Sequence, residues 1–593
     1  MNTLELWPIG NCQVSALVDS NGRFAWGCAP RVDGEPVFSA LLDEDEPQHG
    51  FWVIEIEDIA VTSQFYLRNT PILVTQQIDK SGNAIEVIDF CPYYRRMGRN
   101  YRPVAFARIV RPLNGAPQVR MRLRPNKGWG SVARASIGGT SHIRFGAPGM
   151  TMRLTTTAPV SLIHAERFFR LEDRLHFFLG PDESFEGDIG STVDDMLERT
   201  IYEWRSWVRG LAIPLEWQEA VVRAAIGLKL CQHEETGAIV AALTSSIPEH
   251  ADSGRNWDYR YCWIRDAYYT VQALNRLGAL DVLEGFLVYL RNIVDQAKDG
   301  AIQPLYSVLG EAALDERIVS ELPGYRGMGP VRVGNEAFRQ VQHDAYGQIV
   351  LSSTQAFLDI RLFRTASESD FAALERVGEQ AWLHHDKPDA GLWEFRTRQE
   401  VHTYSSAMCW AACDRLANAA NTLGLVEKSA FWHERANLIR TRIETRAWRE
   451  DSGRFSATLE GDALDASVMQ LLELRFLSPD DARFLDTLAA IEEGLRRGSH
   501  MLRYAHEDDF GTPQSAFNIC TFWLIEALHF TGRTDEARDL FEEMLARRTG
   551  AGLLSEDIDP DSGELWGNYP QTYSLAGIIN CAVLLSKPWS SVR

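Results

Sequence analysis

The sequence predicts an all-β N-terminal domain followed by an all-α domain, a β-sandwich leading into an (α/α)6 barrel. Three observations carry this reading. The spacing of apolar residues changes from strand-like to helical near residue 185. Twelve helical segments then follow, and the connectors between them alternate between short and long. A chain of 593 residues is too long for one core. The expected division is a β-sandwich domain over 1–185, a helical linker over 186–212 and a catalytic helical domain over 213–593.

The strands are read from short runs that mostly alternate apolar and polar residues: FWVIEIED (51–58), PILVTQQID (71–79), AIEVIDF (84–90), VAFARIVRP (104–112), QVRMRLRP (118–125), MTMRLTTT (150–157) and RLHFFLGP (174–181). Turn formers such as DSNG, DKSGN and NGAP separate them. Short antiparallel strands in series point to a sandwich. DDMLERTIYEWRSWVRGL then reads as the helical linker.

Helical spacing follows at 214–232, 266–278, 280–298, 345–365, 369–385, 403–422, 426–446, 464–475, 480–496, 513–532, 534–547 and 571–586. Connectors after even-numbered segments are mostly short, as in LGAL, GLVE and TGRT. Those after odd-numbered segments are mostly long and polar: 233–265, 299–344, 386–402, 497–512 and 548–570. In a barrel of paired helices, connectors of one parity emerge at one end, so the long loops gather at one mouth. Long loops on a rigid scaffold are where binding and catalysis concentrate.

Composition narrows the chemistry. A net charge of −21 argues against nucleic acid and anionic membranes as partners, because phosphate binding needs clustered cations. The 17 Trp suit either large cores or sugar binding, since an indole face packs on the C–H face of a pyranose. Nine cysteines without a CxxC pair read as reduced core thiols. The N-terminus MNTLELWPIGNCQ has neither a basic nor an apolar leader segment, and no apolar run reaches membrane-spanning length, so the expected compartment is the cytoplasm. The oligomeric state stays open, a homodimer included.

The long loops carry the candidate residues. GRNWDYRYCWIRDAYY holds Trp257, Asp258, Tyr259, Arg260, Trp263, Arg265 and Asp266. Asp266 reads either as a helix N-cap paired with Arg265 or as half of a donor–acceptor pair for sugar hydroxyls. In PDAGLWEFRTRQEVHTYS, Glu394 lies between Trp393 and Phe395, and Arg396 follows. Aromatic neighbours would desolvate the carboxyl and favour the protonated form a general acid needs; the competing reading pairs Glu394 with Arg396 or Arg398. GLLSEDIDPDSGELWGNYPQTYS offers Glu556 in a polar, partly solvated setting suited to a base. Its DxDxD-like spacing also resembles a calcium loop, but Pro560 interrupts it and no Glu stands at the twelfth position. Two glutamates from separate loops at one mouth suggest glycoside hydrolysis.

These motifs, taken with others, resemble glycoside hydrolase family 15, which contains glucoamylases, trehalases and glucodextranases. The resemblance spans nearly the whole chain: GNCQVSALVDSNGRFAWGCAPRVDGEPVFSALL, RNWDYRYCWIRDA, GPVRVGN, QHDAYGQI, LWEFR, HTYSSAMCWAACDRL and LSEDIDPDSGELWGNYPQTYSLAGIINCA follow in the family's order. It implies a β-sandwich of the supersandwich type before an (α/α)6 barrel. It also implies an inverting, exo-acting α-glucoside hydrolase, with Glu394 as general acid and Glu556 as general base. Arg265 and Asp266 match the pair that grips the terminal glucose, and Trp257, Trp393 and Arg396 line the same pocket. The implied substrate is a small α-glucoside, trehalose or a malto- or isomalto-oligosaccharide, and the chemistry requires neither metal nor organic cofactor. Two departures bear on substrate preference. Phe395 stands where fungal members carry a second Glu, and SEDIDP replaces SEEYDP, bringing Asp557 and Ile558. The competing functions are a carbohydrate-binding or scaffold protein without turnover, disfavoured by retention of both glutamates, and a phosphorylase or lyase. Glu556 argues against the phosphorylase and the negative charge against a lyase of acidic polymers.

Overall fold

The computed structural model describes residues 3–137, 139–297 and 299–592. The N-terminal part is built on two large antiparallel sheets, with a two-stranded ribbon of Tyr94–Arg96 and Arg99–Tyr101 beside them. In the seven-stranded sheet, Trp7–Gly10, Ser15–Val18, Phe24–Ala29, Phe51–Ile56, Gln118–Arg124 and Phe169–Arg170 lie in that order, with Glu35–Phe38 paired to Phe24–Ala29. The eight-stranded sheet runs Ala135–Ile137, His142–Ala147, Met150–Thr156, Leu175–Pro181, Phe106–Asn114, Ala84–Phe90, Leu73–Asp79, Ile59–Tyr66. Their inner faces meet where Phe24 packs on Trp52 and, across the gap, on Phe106 at 6.1 Å. Arg108 is fully buried between them, bound to Asp89 at 2.7 Å and to the Trp52 carbonyl at 2.9 Å.

Every strand read from the sequence is present. The four earliest strands were not foreseen, because they are short and nearly all their residues are buried, leaving no alternation to read. Ala84–Phe90 is also buried along its whole length. One of its faces meets the other sheet; on the opposite face Ile88 and Phe90 share a core with Val193, Met196 and Leu197. Those three belong to a helix that is more than a linker. After the short α1 (Val160–His164), α2 (Ile189–Arg209) lays its first half on the sheet. Its second half buries Trp204 and Val208 against Tyr93, Ile226 and Leu230.

The helical part contains α3 (Gln218–Leu230), α4 (Ile264–Arg276), α5 (Leu280–Gln296), α6 (Asp344–Thr354), α7 (Glu368–His384), α8 (Thr403–Thr422), α9 (Val426–Arg446), α10 (Gln470–Glu473), α11 (Ala482–Leu495), α12 (Asn518–Phe530), α13 (Thr534–Ala546) and α14 (Thr572–Leu585). Each expected segment is there, most a little shorter at the ends, and three depart for a visible reason. The segment expected to run to 365 stops at Thr354 and a 3-10 turn, Gln355–Phe357; beyond it the Asp359 carboxylate accepts from the Arg361 amide and the Gln355 side chain, an alternative to helical pairing. The 464–475 segment is a 3-10 turn, Ala466–Met469, joined to α10. The 513–532 segment starts as a helix only at Asn518, because Ala516–Phe517 pairs as a strand with Asp557–Ile558.

Helix contacts close a circuit: α4 on α6, α6 on α8, α8 on α10 and its 3-10 turn, that turn on α12, α12 on α14, and α14 back on α4. The others pack outside it: α3 on α14, α5 on α4, α7 and α9 on α8, α11 on the 3-10 turn, and α13 on α12. All nine cysteines are buried and unpaired. No helix among the described residues is long and apolar enough to cross a membrane.

The two parts are bolted together beneath the long loops. Arg260 binds Asp258 at 2.7 Å, with both side chains essentially fully buried, and also donates to the Gly34 carbonyl of the sheet domain. Removing one member of such a pair strands the other's charge, at about 3–5 kcal/mol. Arg260→Met is therefore expected to lose stability on that scale in equilibrium denaturant unfolding, and adding Asp258→Asn should recover part of it.

Candidate active site

The long loops after α3, α5, α7, α11 and α13 converge on a cavity of about 800 Å³, counting its solvent-open part. All seven candidate residues line it: Glu394, Glu556, Arg265, Asp266, Trp257, Trp393 and Arg396.

Glu394 stands on the loop after α7 with φ of 63°, a left-handed backbone that side chains adopt only under constraint. Its surroundings differ from the expectation. Trp393 and Phe395 do not enclose its carboxyl: Trp393 donates to Asp465 at 2.7 Å and Phe395 stacks on His402. The aromatic that meets the carboxyl is Trp263, which donates to Oε1 at 2.6 Å. Arg265 approaches the same oxygen at 3.4 Å. The alternative pairing of Glu394 with Arg396 or Arg398 does not occur, since Arg396 pairs with Glu316 at 2.8 Å and Arg398 donates to the Glu507 carbonyl.

Glu556 sits at the start of a small sheet built from Ala516–Phe517, Asp557–Ile558 and Leu565–Trp566. Its carbonyl accepts from the Asn518 amide and its amide donates to Asn568, which fixes its backbone on both sides. The expected polar, partly solvated setting is not what the structure has. Glu556 is 3% exposed. Burial, then the neighbouring Asp557 and Glu249, push its carboxyl well above the usual carboxylate range, while the Tyr259 hydroxyl, donating at 2.7 Å, and Arg503 oppose the rise. Burial and Glu249 push Asp557 up as well, and its Oδ2 has no hydrogen-bond partner. Gly567 makes this packing feasible: at φ of +74°, any Cβ would stand 2.8 Å from that of Glu556. Downstream, the acidic run closes as a turn in which Asp559 accepts from the Asp561 amide, and Glu564 pairs with Arg326.

Arg265 and Asp266 pair at 3.2 Å. Asp266 is not the N-cap of α4; that position is Trp263, and Asp266 lies in the first turn. Burial raises its carboxyl to about 6; Arg265 opposes that rise and Glu394 adds to it. The contact runs from the Arg265 Nε to the Asp266 Oδ2, and Gln571 donates to the other carboxylate oxygen at 3.4 Å. A planar donor fork beside an acceptor at the edge of a cavity suits a polyol. Trp257 lines the cavity, with the guanidiniums of Arg332 at 4.8 Å and Arg396 at 4.6 Å from its ring and its Nε1 donating to Glu249.

Sequence reasoning assigned no role to the residues that connect this site. Trp263 and Tyr259 touch at 5.3 Å and bridge Glu394 to Glu556. Their crowding into one loop was the available signal. Glu249, which binds Arg503 at 2.5 Å, and Gln571, which donates to Asp266 at 3.4 Å, had none. Among the described residues no group of three or more His, Cys, Asp or Glu side chains is placed to hold a metal ion.

Known proteins resemble this chain at two levels, sequence and fold. The chain is similar to a trehalase of Thermoplasma volcanium, 30% identical across 98% of this chain and 93% of the relative. It is similar to a trehalase of Mycobacterium tuberculosis, 30% identical across 97% and 88%. In fold it matches a bacterial glucoamylase solved in complex with acarbose, with a TM-score of 0.70 at 13% identity, covering 98% of this chain and 93% of that one. The family model for glycosyl hydrolases family 15 matches residues 217–583, the helical part that carries the cavity. With that match and relatives aligned nearly end to end, the chain belongs to glycosyl hydrolases family 15 and is a glycoside hydrolase.

Proposed function

We propose that the protein is an inverting, exo-acting α-glucoside hydrolase of the cytoplasm acting on α,α-trehalose. In this reading Glu394 is the general acid and Glu556 the general base. The observation that carries it is the opening of both glutamates, from distant loops, onto the cavity that also holds Arg265 and Asp266. The circuit of helices is read as an (α/α)6 barrel with these loops at one mouth, and the chain divides as 1–185, 186–212 and 213–593. Trehalose is preferred over malto- and isomalto-oligosaccharides because curated relatives matched nearly end to end are trehalases.

The terminal glucosyl unit binds with its hydroxyls on the Arg265–Asp266 pair and packs beside Trp257 and Trp393; Arg396 borders the same space. Glu394 gives its proton to the glycosidic oxygen as the C1–O bond breaks. A water on the opposite face forms the new C1–O bond and yields its proton to Glu556. For Glu556 to be ionised beside Asp557, the pair shares one proton. The Tyr259 hydroxyl stabilises charge on Glu556, and Asp557, with its unpartnered Oδ2, keeps the proton.

Hydrolysis of trehalose followed by proton NMR tests the reading. Inversion releases α- and β-glucose in equal initial amounts, one from each half. Initial α-glucose alone would refute inversion, and faster turnover of maltose or isomaltose would refute the substrate. The pH profile tests the base. Activity should fall on the acid side as Glu556 takes its proton. Tyr259→Phe removes a donor to the ionised form, which shifts this limb to higher pH by about 1–2 units, the equivalent of a charged hydrogen bond. A limb that stays in place would exclude Tyr259 from this role.

A further inference from the structure

The Glu394 loop is held by a residue outside the catalytic pair. On its inner side the loop is fixed by Arg265 donating to the Leu392 carbonyl at 2.8 Å, Gln340 to the Glu394 carbonyl at 3.1 Å, and the Phe395 amide to Ala390 at 3.1 Å. On its outer side the grip comes from the loop after α11. The Asp509 carboxylate accepts from the Arg396 amide at 2.6 Å, the Thr397 amide at 3.1 Å and the Thr397 hydroxyl. These donors lie two and three residues after Glu394, whose left-handed backbone needs its surroundings to impose it.

The turn that carries Asp509 is itself tied down at the preceding residue. Asp508 accepts from both terminal nitrogens of Arg255 at 2.8 and 2.5 Å and from the Phe510 amide at 2.8 Å. Arg255 also binds the Gly511 carbonyl, and Arg398 reaches back from the gripped loop to the Glu507 carbonyl. Phe510 lies edge-on to Trp257 at 5.2 Å, so the same turn completes the cavity rim. Residues 507–511 thus form a clasp with one end tied to the cavity wall and the other to the loop bearing Glu394.

We propose that Asp509 is a positioning residue: through the Arg396 and Thr397 amides it holds the Glu394 carboxyl where it can protonate the departing oxygen. This rests on the reading of Glu394 as proton donor. The Asp509 carboxylate is taken up by these three donors, so its effect should follow how much the reaction needs the acid. Asp509→Ala should lower kcat on trehalose by roughly 10- to 100-fold, as a misplacement of about 1 Å would, with a smaller change in KM. It should cost far less on α-glucosyl fluoride, whose leaving group needs no proton. Asp509→Asn, which keeps an acceptor oxygen, should restore part of the rate. Thr397→Val, which removes only the hydroxyl donor, should give a lesser loss of the same pattern, and it keeps the test valid if Asp509→Ala folds poorly. Amide exchange at 394–398 should quicken in Asp509→Ala. Unchanged kcat, or equal losses on both substrates, overturns the proposal. Glu394→Gln run alongside separates the two claims. If that variant stays active, the reading of Glu394 fails; if it is inactive while Asp509→Ala is normal, the clasp alone fails.

Discussion

Glu394→Gln should reduce kcat on trehalose by about 10³-fold, within the range for general acid catalysis, and leave KM within a few fold. Gln keeps the shape and can still accept from Trp263 and Arg265, so binding survives while the transferable proton is lost. The deficit should depend on the leaving group. With a sugar alkoxide departing, the missing proton is felt in full; with fluoride departing, most of the rate should return. Steady-state kinetics on the two substrates check this. An equal deficit on both would mean that Glu394 binds or orients the sugar and does not donate a proton to it.

Glu556→Gln should also cost about 10³-fold in kcat, with no relief from a better leaving group, because every substrate needs an activated water. A second effect separates it from its counterpart. Burial, Asp557 and Glu249 raise the Glu556 carboxyl above its value in the unfolded chain, about 4.3. The folded state therefore holds this proton more tightly. The resulting stability is complete below the unfolded pKa and is lost as pH rises through the folded one. Near neutrality, ionising this buried acidic pair opposes folding, and Gln removes one source of charge. The variant should melt higher than the parent at neutral pH, with a flatter dependence of Tm on pH above the ordinary carboxylate range. Calorimetry across pH measures this. A lower Tm accompanying the lost activity would attribute the loss to unfolding and not to chemistry.

How much could be read in advance depends on whether a signal is local. Helix existence and type were legible because amphipathic periodicity is written within each segment; α8, α9 and α13 fall within a residue or so of expectation. The first four strands were illegible because residues buried on both faces carry no period. In the site, the seven candidates were found through motifs on single loops, and the structure brings all seven to one cavity. Their environments were not legible, because environment is set by other loops. Trp263 rather than Trp393 meets Glu394, and Glu249 with Asp557 makes the surroundings of Glu556 acidic and buried. Asp509 is the extreme case: nothing in HEDDFG marks it as a backbone clasp, because its partners lie more than a hundred positions earlier in the chain.

Helix α2 has a consequence for any attempt to divide the molecule. Its Val193, Met196 and Leu197 seal the outside of one sheet, while Trp204 and Val208 plug a seam with α3. A fragment cut before it would leave the sheets with a bare oily flank, and one cut after it would expose the same kind of wound on the catalytic half. The two parts thus share one strut, and a truncation on either side of α2 is expected to bare apolar surface that the intact chain covers.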